Sequence, residues 1–445
     1  MQKRIMDVIM EPLDWRYSAS IVGMYKYLSF YGKKEGKDFK ITEDSLEACS
    51  LDFTEEKYFL FVERYYSEAF PHLMIEEILN QHDISEEEKK TVNKILDQSN
   101  FTLKKIFKQE RFNGRNKAKI LSLIRRNREL IIRETYLNRK ELYGNYANTN
   151  MLFKDKQARC RLKGYYVDST RKSRADSYYF NAKTFVSEDS RFFDFIPFAF
   201  HGMEKTIFIN NSFYVPDLIK TNLKIEKIIQ NSEEKGKGKQ DICRLIFQNI
   251  QEDPEFIDYD VEAILKTKEQ NYFQTIYIRQ ESIHILRKIG VYDLFCVFFR
   301  INDHYCLNMQ EEVVKCILNL IRTDALIDLS LKRKKQQELI EILIRINLYI
   351  CNKDKIFENT LEKTAWCAQK SASKLSKDNV NYYKQQLITF LSYKDYEKCC
   401  QILLHLSDDT EISFDFIYDL IEDFEENKDI AYTFINAFNI KTEKL

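Results

Sequence analysis

Arg279 and His284 stand at R-x-x-x-x-H spacing in RQESIH, on a stretch whose periodicity predicts a helix. An imidazole can move a proton at an RNA 2′-hydroxyl, and a guanidinium can stabilise charge developing on a phosphate. Two residues at fixed spacing also arise by chance, and a surface Arg with a half-buried His on an amphipathic helix accounts for them equally. Arg300 and His304 fall one residue short of the same spacing. The six histidines form no H-E-x-x-H and no His–Cys array, and His82–Asp83 lies in NQHDISEEE, which reads as a helix-connecting turn. Neither glycine-rich phosphate loop is present, and there is no G-x-S-x-G elbow. None of the ten cysteines stands in a C-x-x-C pair, so neither a structural zinc nor any other metal or cofactor is expected. Scattered thiols suit a reducing cytoplasm.

Basic and aromatic residues together make the stronger constellation. RCRLKGYYVDSTRKSRADSYYFNAK (159–183) holds Arg159, Arg161, Lys163, Arg171, Lys172, Arg174 and Lys183, with Tyr178 and Tyr179 among its tyrosines. Lysine and arginine neutralise phosphates, and tyrosine stacks on splayed bases. A charged hairpin whose tyrosines pack a sheet explains the pattern as well. Asn210 and Asn211 in FINNSF have amides suited to base edges, or to a turn between strands. Lys332 and Arg333 in LKRKKQQ (331–337) read as a solvated helix face, or as a contact to a displaced strand.

These residues sit in an uneven charge field. Net charge is zero, yet 101–174 carries 21 Lys/Arg against 6 Asp/Glu, a net +15. Residues 38–100 carry 6 against 16, and 395–431 carry 2 against 12, so both flanks are at −10. A basic excess over some seventy residues points to a polyanion, unless the flanks pair it off after folding.

The elements follow from periodicity. With 10 Gly and 5 Pro in 445 residues, long helices are favoured. A small-residue helix is expected within 13–30, a strand pair within 38–54, and helices from 55 to about 140. KAKILSLIRRNRELIIRETYLNRKEL predicts one basic amphipathic helix carrying Arg125, Arg126, Arg128 and Arg133. In 144–216, the stretches GYYVDS, DSYYFNAKTF, RFFDFIPFAF and KTIFINNSFYV predict short strands, with Pro197 and Pro216 at strand ends or edges. Residues 217–305 return to helices around a linker at 231–241, and a bundle of roughly four to six helices fills 306–445. The expected class is α+β, with a mixed N-terminal domain over 1–305 and an all-α domain over 306–445. No run of about 18 apolar residues occurs, so no membrane span is expected.

Four stretches carry a family resemblance. LDWRYSASIVGMYKYLSF (13–30), LDFTEEKYFLFVERYY (51–66), FFDFIPFAFHGMEKTIFINNSF (192–213) and the helical tail occur in the order seen in large subunits of type I CRISPR Cascade complexes. They resemble the I-B and I-A branches most. Cys160 stands alone where many relatives carry a zinc ribbon, and His201–Gly202 falls where a second pair would be. The resemblance implies a non-catalytic protein that holds the guide RNA 5′ handle and inspects the protospacer-adjacent motif in duplex DNA. It would then help open the duplex and recruit the helicase-nuclease, beside backbone, handle-binding and small subunits. The tail would line the displaced strand, and an internal start at Met309 would make a free small subunit. Sequence reading itself is delegated to guide pairing. The alternative is a HEPN-type ribonuclease or toxin, whose R-x-x-x-x-H spacing Arg279 and His284 match.

Overall fold

The computed structural model describes residues 5–98, 101–108, 110–139, 142–154, 161–164, 189–202, 205–211, 214–234, 257, 259–270, 272–289, 295–303, 306–333 and 337–439. The fold is α+β, with small antiparallel sheets and a helical C-terminal region. The chain divides into two compact units: Met1–Leu245 with Asp260–Tyr277, and Ile246–Tyr259 with Ile278–Leu445. The division therefore falls near Ile278 rather than at 305/306. The reason is local: Ser282 Oγ donates to the Ile317 carbonyl at 2.9 Å, tying the helix at 280–289 to the tail.

In the first unit, β1 (Val8–Met10) precedes α1 (Trp15–Phe30), and β2 (Lys40–Ile41) and β3 (Leu46–Ala48) follow. They form a sheet in the order β1-β3-β2, with Val8 opposite Ala48 and Ile41 opposite Leu46. Asp14 caps α1, accepting from the Arg16 and Tyr17 amides at 2.7 and 3.4 Å. Helices α2 (Glu55–Tyr65), α3 (Pro71–Asn80), α4 (Glu86–Gln98), α5 (Phe101–Phe107), α6 (Lys117–Arg126), α7 (Arg128–Asn138) and α8 (Tyr143–Tyr146) come next. Ser85 and Glu88 cap α4 reciprocally, at 2.8 and 3.2 Å. The single basic helix expected over this region is two, because the chain breaks at Asn127.

RFFDFIPFAF is not a strand. It folds as a 3-10 helix, Arg191–Ala199, with Pro197 inside it. This helix lies across α1 so closely that a Cβ on Gly23 would stand 2.0 Å from the Phe195 carbonyl oxygen. Two of the stretches that carry the family resemblance are thus packed against each other. β4 (Lys205–Asn210) is the expected strand, but Pro216 sits in the first turn of α9 (Val215–Glu234) rather than at a strand edge. Asn222 of α9 satisfies the outer edge of β4, donating to the Ile209 carbonyl and accepting from its amide at 2.8 and 3.1 Å. β5 (Val261–Thr267) pairs antiparallel with β4, and β6 (Gln274–Ile278) completes the order β4-β5-β6. These two strands lie where helices were expected.

One large core joins α1, α2, the 3-10 helix and β4, and is rich in aromatic rings. A second, smaller core holds α3 to α7 together through Ile75, Leu79, Val92, Phe107, Ile120 and Ile131.

The second unit opens with α10 (Gln280–Ile289) and a ribbon of β7 (Phe298–Arg300) and β8 (Cys306–Asn308). The tail then runs through α11 (Met309–Asn319), α12 (Asp324–Lys332), α13 (Gln337–Ile350), α14 (Lys355–Lys374), α15 (Lys377–Ser392), α16 (Tyr396–Thr410), α17 (Ile417–Glu422) and α18 (Lys428–Ala437). That is eight helices among the described residues, against four to six expected, because the tract from 309 to 350 breaks twice. A buried polar hub ties three of them. Asn347 donates to Asp429 and Asp324 at 2.9 Å each and accepts from the Thr323 amide at 2.6 Å, while Arg322 pairs with Asp429 at 3.0 Å.

Candidate nucleic-acid interface

The first part of the basic block, 101–138, forms α5, α6 and α7, and some of its charge is neutralised locally. Arg128 bridges Glu63 at 3.0 Å and Glu76 at 2.8 Å. Glu63 also meets His72 at 2.6 Å. Burial pushes the Glu63 carboxyl up, but the His72 hydrogen bond and the Arg128 charge outweigh it and hold it below the usual range. Arg133 pairs with Glu55 at 2.8 Å, and Arg111 with Asp97 at 3.2 Å. The acidic stretch 38–100 therefore pairs with some of the block, as the alternative reading of the charge run held.

What remains is concentrated. Lys104, Lys108, Arg115, Arg125 and Arg126 are exposed, and none of them pairs with a carboxylate. Lys104 and Lys108 are one turn apart at the end of α5, and Arg125 and Arg126 close α6. Cations there also complement the partial negative charge of a helix C-terminus. Lys104, Lys108 and Arg115 were counted in the block's excess but not singled out, because nothing in the sequence separates a free cation from a paired one.

Arg161 is corrected. It is 1% exposed, and its guanidinium meets Asp194 at 2.7 Å and the carbonyls of Met151 and Lys154. It holds the core together and cannot reach a phosphate. Burial holds the Asp194 carboxyl above its usual range against the pull of Arg161. Asn210 and Asn211 are corrected too. Both are buried, and the Asn210 amide donates to Glu262, its cross-strand partner, at 2.8 Å. Burial keeps both from lying on the surface as base readers. Lys163 is half-buried, its amide bonded to the Tyr146 carbonyl at 2.9 Å. The Arg161 amide also meets Asp189 at 2.6 Å, which brings the two ends of the segment between them together. Arg159, Arg171, Lys172, Arg174, Tyr178, Tyr179 and Lys183 lie outside the described residues, as do Cys160 and the expected strands GYYVDS and DSYYFNAKTF.

In the second unit, Lys332 and Arg333 are exposed, and Arg333 donates to the Arg300 carbonyl at 2.8 Å. Arg279 precedes α10 and His284 lies within it, both exposed. Arg279 thus lies outside the helix that carries His284.

His201, where a second metal pair was considered, is buried against Lys26 at 3.4 Å. Lys26 meets Glu226 at 3.0 Å and the Phe198 carbonyl at 3.0 Å. Burial, offset in part by Glu226, brings the Lys26 ammonium down to about 8. Among the described residues no group of three His, Cys, Asp or Glu could hold a metal ion. No helix among them is long and apolar enough to cross a membrane.

Searches of curated proteins and of solved structures return no match. A family profile described as CRISPR-associated protein Csx8 matches residues 6–438, nearly the whole chain. The chain belongs to the CRISPR-associated Csx8 family, which is part of type I-U, Cas8-like systems.

Proposed function

We propose that this chain is the non-catalytic large subunit of a type I CRISPR effector complex. It binds the guide RNA 5′ handle, engages target duplex DNA at the protospacer-adjacent motif, helps open it and recruits the helicase-nuclease. The observation that carries this reading is the set of five unpaired, exposed cations on α5, the following loop and α6, within a family tied to CRISPR. Phosphate neutralisation supplies affinity without reading sequence, which suits a complex whose guide does the reading. The tyrosine-flanked basic stretch with Arg171, Lys172 and Arg174 is proposed to meet the duplex next to the motif. Lys332 and Arg333 are proposed to meet the displaced strand.

The test uses the assembled complex with its guide. Changing Lys104, Lys108, Arg125 and Arg126 to Glu is expected to weaken target-duplex binding at least tenfold. Each lost phosphate contact should also flatten the salt slope by about one. Wild-type affinity and slope in this variant would remove the interface. The ribonuclease reading predicts RNA cleavage by the isolated chain that His284→Ala abolishes. Arg279 precedes the helix that carries His284, so α10 does not hold the pair together.

A further inference from the structure

A groove of about 490 Å³ opens in the first unit, with α9 on one side and α1 and β2 on the other. On α9 its lining runs from Pro216 to Lys227 at i, i+3, i+4, i+7, i+8 and i+11, which is one face of a helix. At 1.5 Å per residue that face is about 16 Å long, or about three turns. Its apolar part is Ile219 and Leu223, faced by Tyr25 of α1 and Ile41 of β2. Tyr25, Ile41 and Leu223 pack on the large core yet stay partly in water. The two walls are tied together, because the Val215 amide at the start of α9 donates to the Glu43 carbonyl just after β2 at 2.8 Å. Lys220 and Lys227 are exposed, and among the described residues neither pairs with a carboxylate. Glu35, in the loop after α1, is the one carboxylate among the described lining residues, and it too has no counter-ion among them.

The lining selects its occupant. Apolar side chains on two facing walls are covered only by apolar groups, and a trough about three turns long with one cationic edge fits an amphipathic helix laid along it. A nucleic-acid strand fits less well. It is negative at every phosphate, Glu35 included in its path, and its backbone brings nothing apolar to Ile41, Ile219 and Leu223. A peptide can instead place acid along α9 and a neutral or basic residue at Glu35. A basic helix is opposed by the lysines. We propose that this groove binds an acidic amphipathic helix of a partner protein. The apolar face of that helix covers Tyr25, Ile41, Ile219 and Leu223, and its carboxylates meet Lys220 and Lys227. The groove shares no residue with the five cations of the proposed function, which lie on α5, α6 and the loop between them.

The experiment measures fluorescence anisotropy with the full chain and a labelled peptide of about three helical turns, with leucine along one face and glutamate along the other. The wild type is expected to bind it, and to bind the same peptide with lysine for glutamate at least tenfold more weakly. Lys220→Glu with Lys227→Glu should weaken binding of the acidic peptide about tenfold, since two attractive pairs become repulsive. Serine for leucine in the peptide should cost at least tenfold, because a buried leucine is worth about that factor. Both lysines are exposed on a helix, so an unchanged thermal midpoint checks that the groove variant folds. The cations of α5 and α6 offer an acidic peptide a second place, so the variant with Lys104, Lys108, Arg125 and Arg126 changed to Glu is run beside it and should bind as the wild type does. If the wild type does not bind the acidic peptide, if the groove variant binds it as the wild type does, or if only the α5–α6 variant loses it, the proposal is overturned. Oligouridylate is the nucleic-acid arm: if the groove variant loses it and keeps the peptide, the groove takes RNA and the proposal falls. Self-association of the wild type that the groove variant abolishes would make a second copy the occupant and overturn it as well.

Discussion

Lys26 has been carried by α1 almost wholly out of water, and His201 goes with it. Burial and the Lys26 charge push the His201 imidazole well below its ordinary value. It stays neutral in the fold, while in the unfolded chain it takes up a proton below about pH 6.5. The unfolded state then binds the extra proton, so stability falls as pH falls from 7 to 5, by up to about 2 kcal/mol. His201→Gln should flatten thermal midpoint against pH in that window; a slope equal to the wild type's would refute it. Lys26 acts in the alkaline window. Its folded value of about 8 lies below the ordinary 10.5, so raising pH from 8 toward 10 relieves its burial and adds stability. Arg161 gives a second test at this scale. Arg161→Met leaves Asp194 buried without its counter-charge, at an expected cost of about 3–5 kcal/mol read from the denaturant midpoint. Asp194 also accepts from the Tyr143 hydroxyl at 2.5 Å and the Phe153 amide at 2.8 Å, and a loss under about 1 kcal/mol would mean that these suffice for it.

At the scale of elements, the crossing of α1 with the 3-10 helix is the tightest feature of the first unit. The obstacle to a side chain at Gly23 is backbone, the Phe195 carbonyl, so nothing can swing aside. Gly23→Ala is expected to cost at least the 1–3 kcal/mol usual for overpacking, because the two helices must separate. Equal denaturation midpoints for the two proteins would show that the crossing is looser. The same crossing explains why RFFDFIPFAF reads wrongly from sequence. Phe193 to Ala199 are all buried, so no alternation or helical stripe survives to mark the conformation. VEAILKT was missed as a strand for a related reason, since five of its seven residues are buried in β5. Where one face stays wet, as in α4 and α6, periodicity located the helix. The S-x-x-E pattern of Ser85 and Glu88 marks the start of α4, while the Asp14 cap of α1 shows only in the structure.

At the scale of the molecule, charge is sorted rather than cancelled. Arg111, Arg128 and Arg133 are spent on the acidic residues before them, while Lys104, Lys108, Arg115, Arg125 and Arg126 are left to solvent. Duplex binding by the complex should therefore weaken steeply with salt, and Arg128→Gln should act differently from Arg125→Gln. The first should lower stability by exposing Glu63 and Glu76 to each other, with little change in salt slope. The second should leave stability within about 0.5 kcal/mol and lower the slope. If both change the slope equally, the division into structural and free cations is wrong.

The α+β class, the capped helices, the strand at Lys205–Asn210, the charge excess and the family likeness were legible in the residues. Each depends on local pattern, composition or motif order, which the chain carries without folding. Which cations stay free was not legible, because pairing joins residues far apart, as Arg128 joins Glu63 and Glu76. Arg161, Asn210 and Asn211 looked like surface readers for the same reason. A polar residue among basic neighbours has the same letters whether it faces solvent or a buried carboxylate. The sequence alone carries the basic excess that points to a polyanion, and the tertiary structure decides which cations stay exposed, because pairing joins residues far apart in the chain.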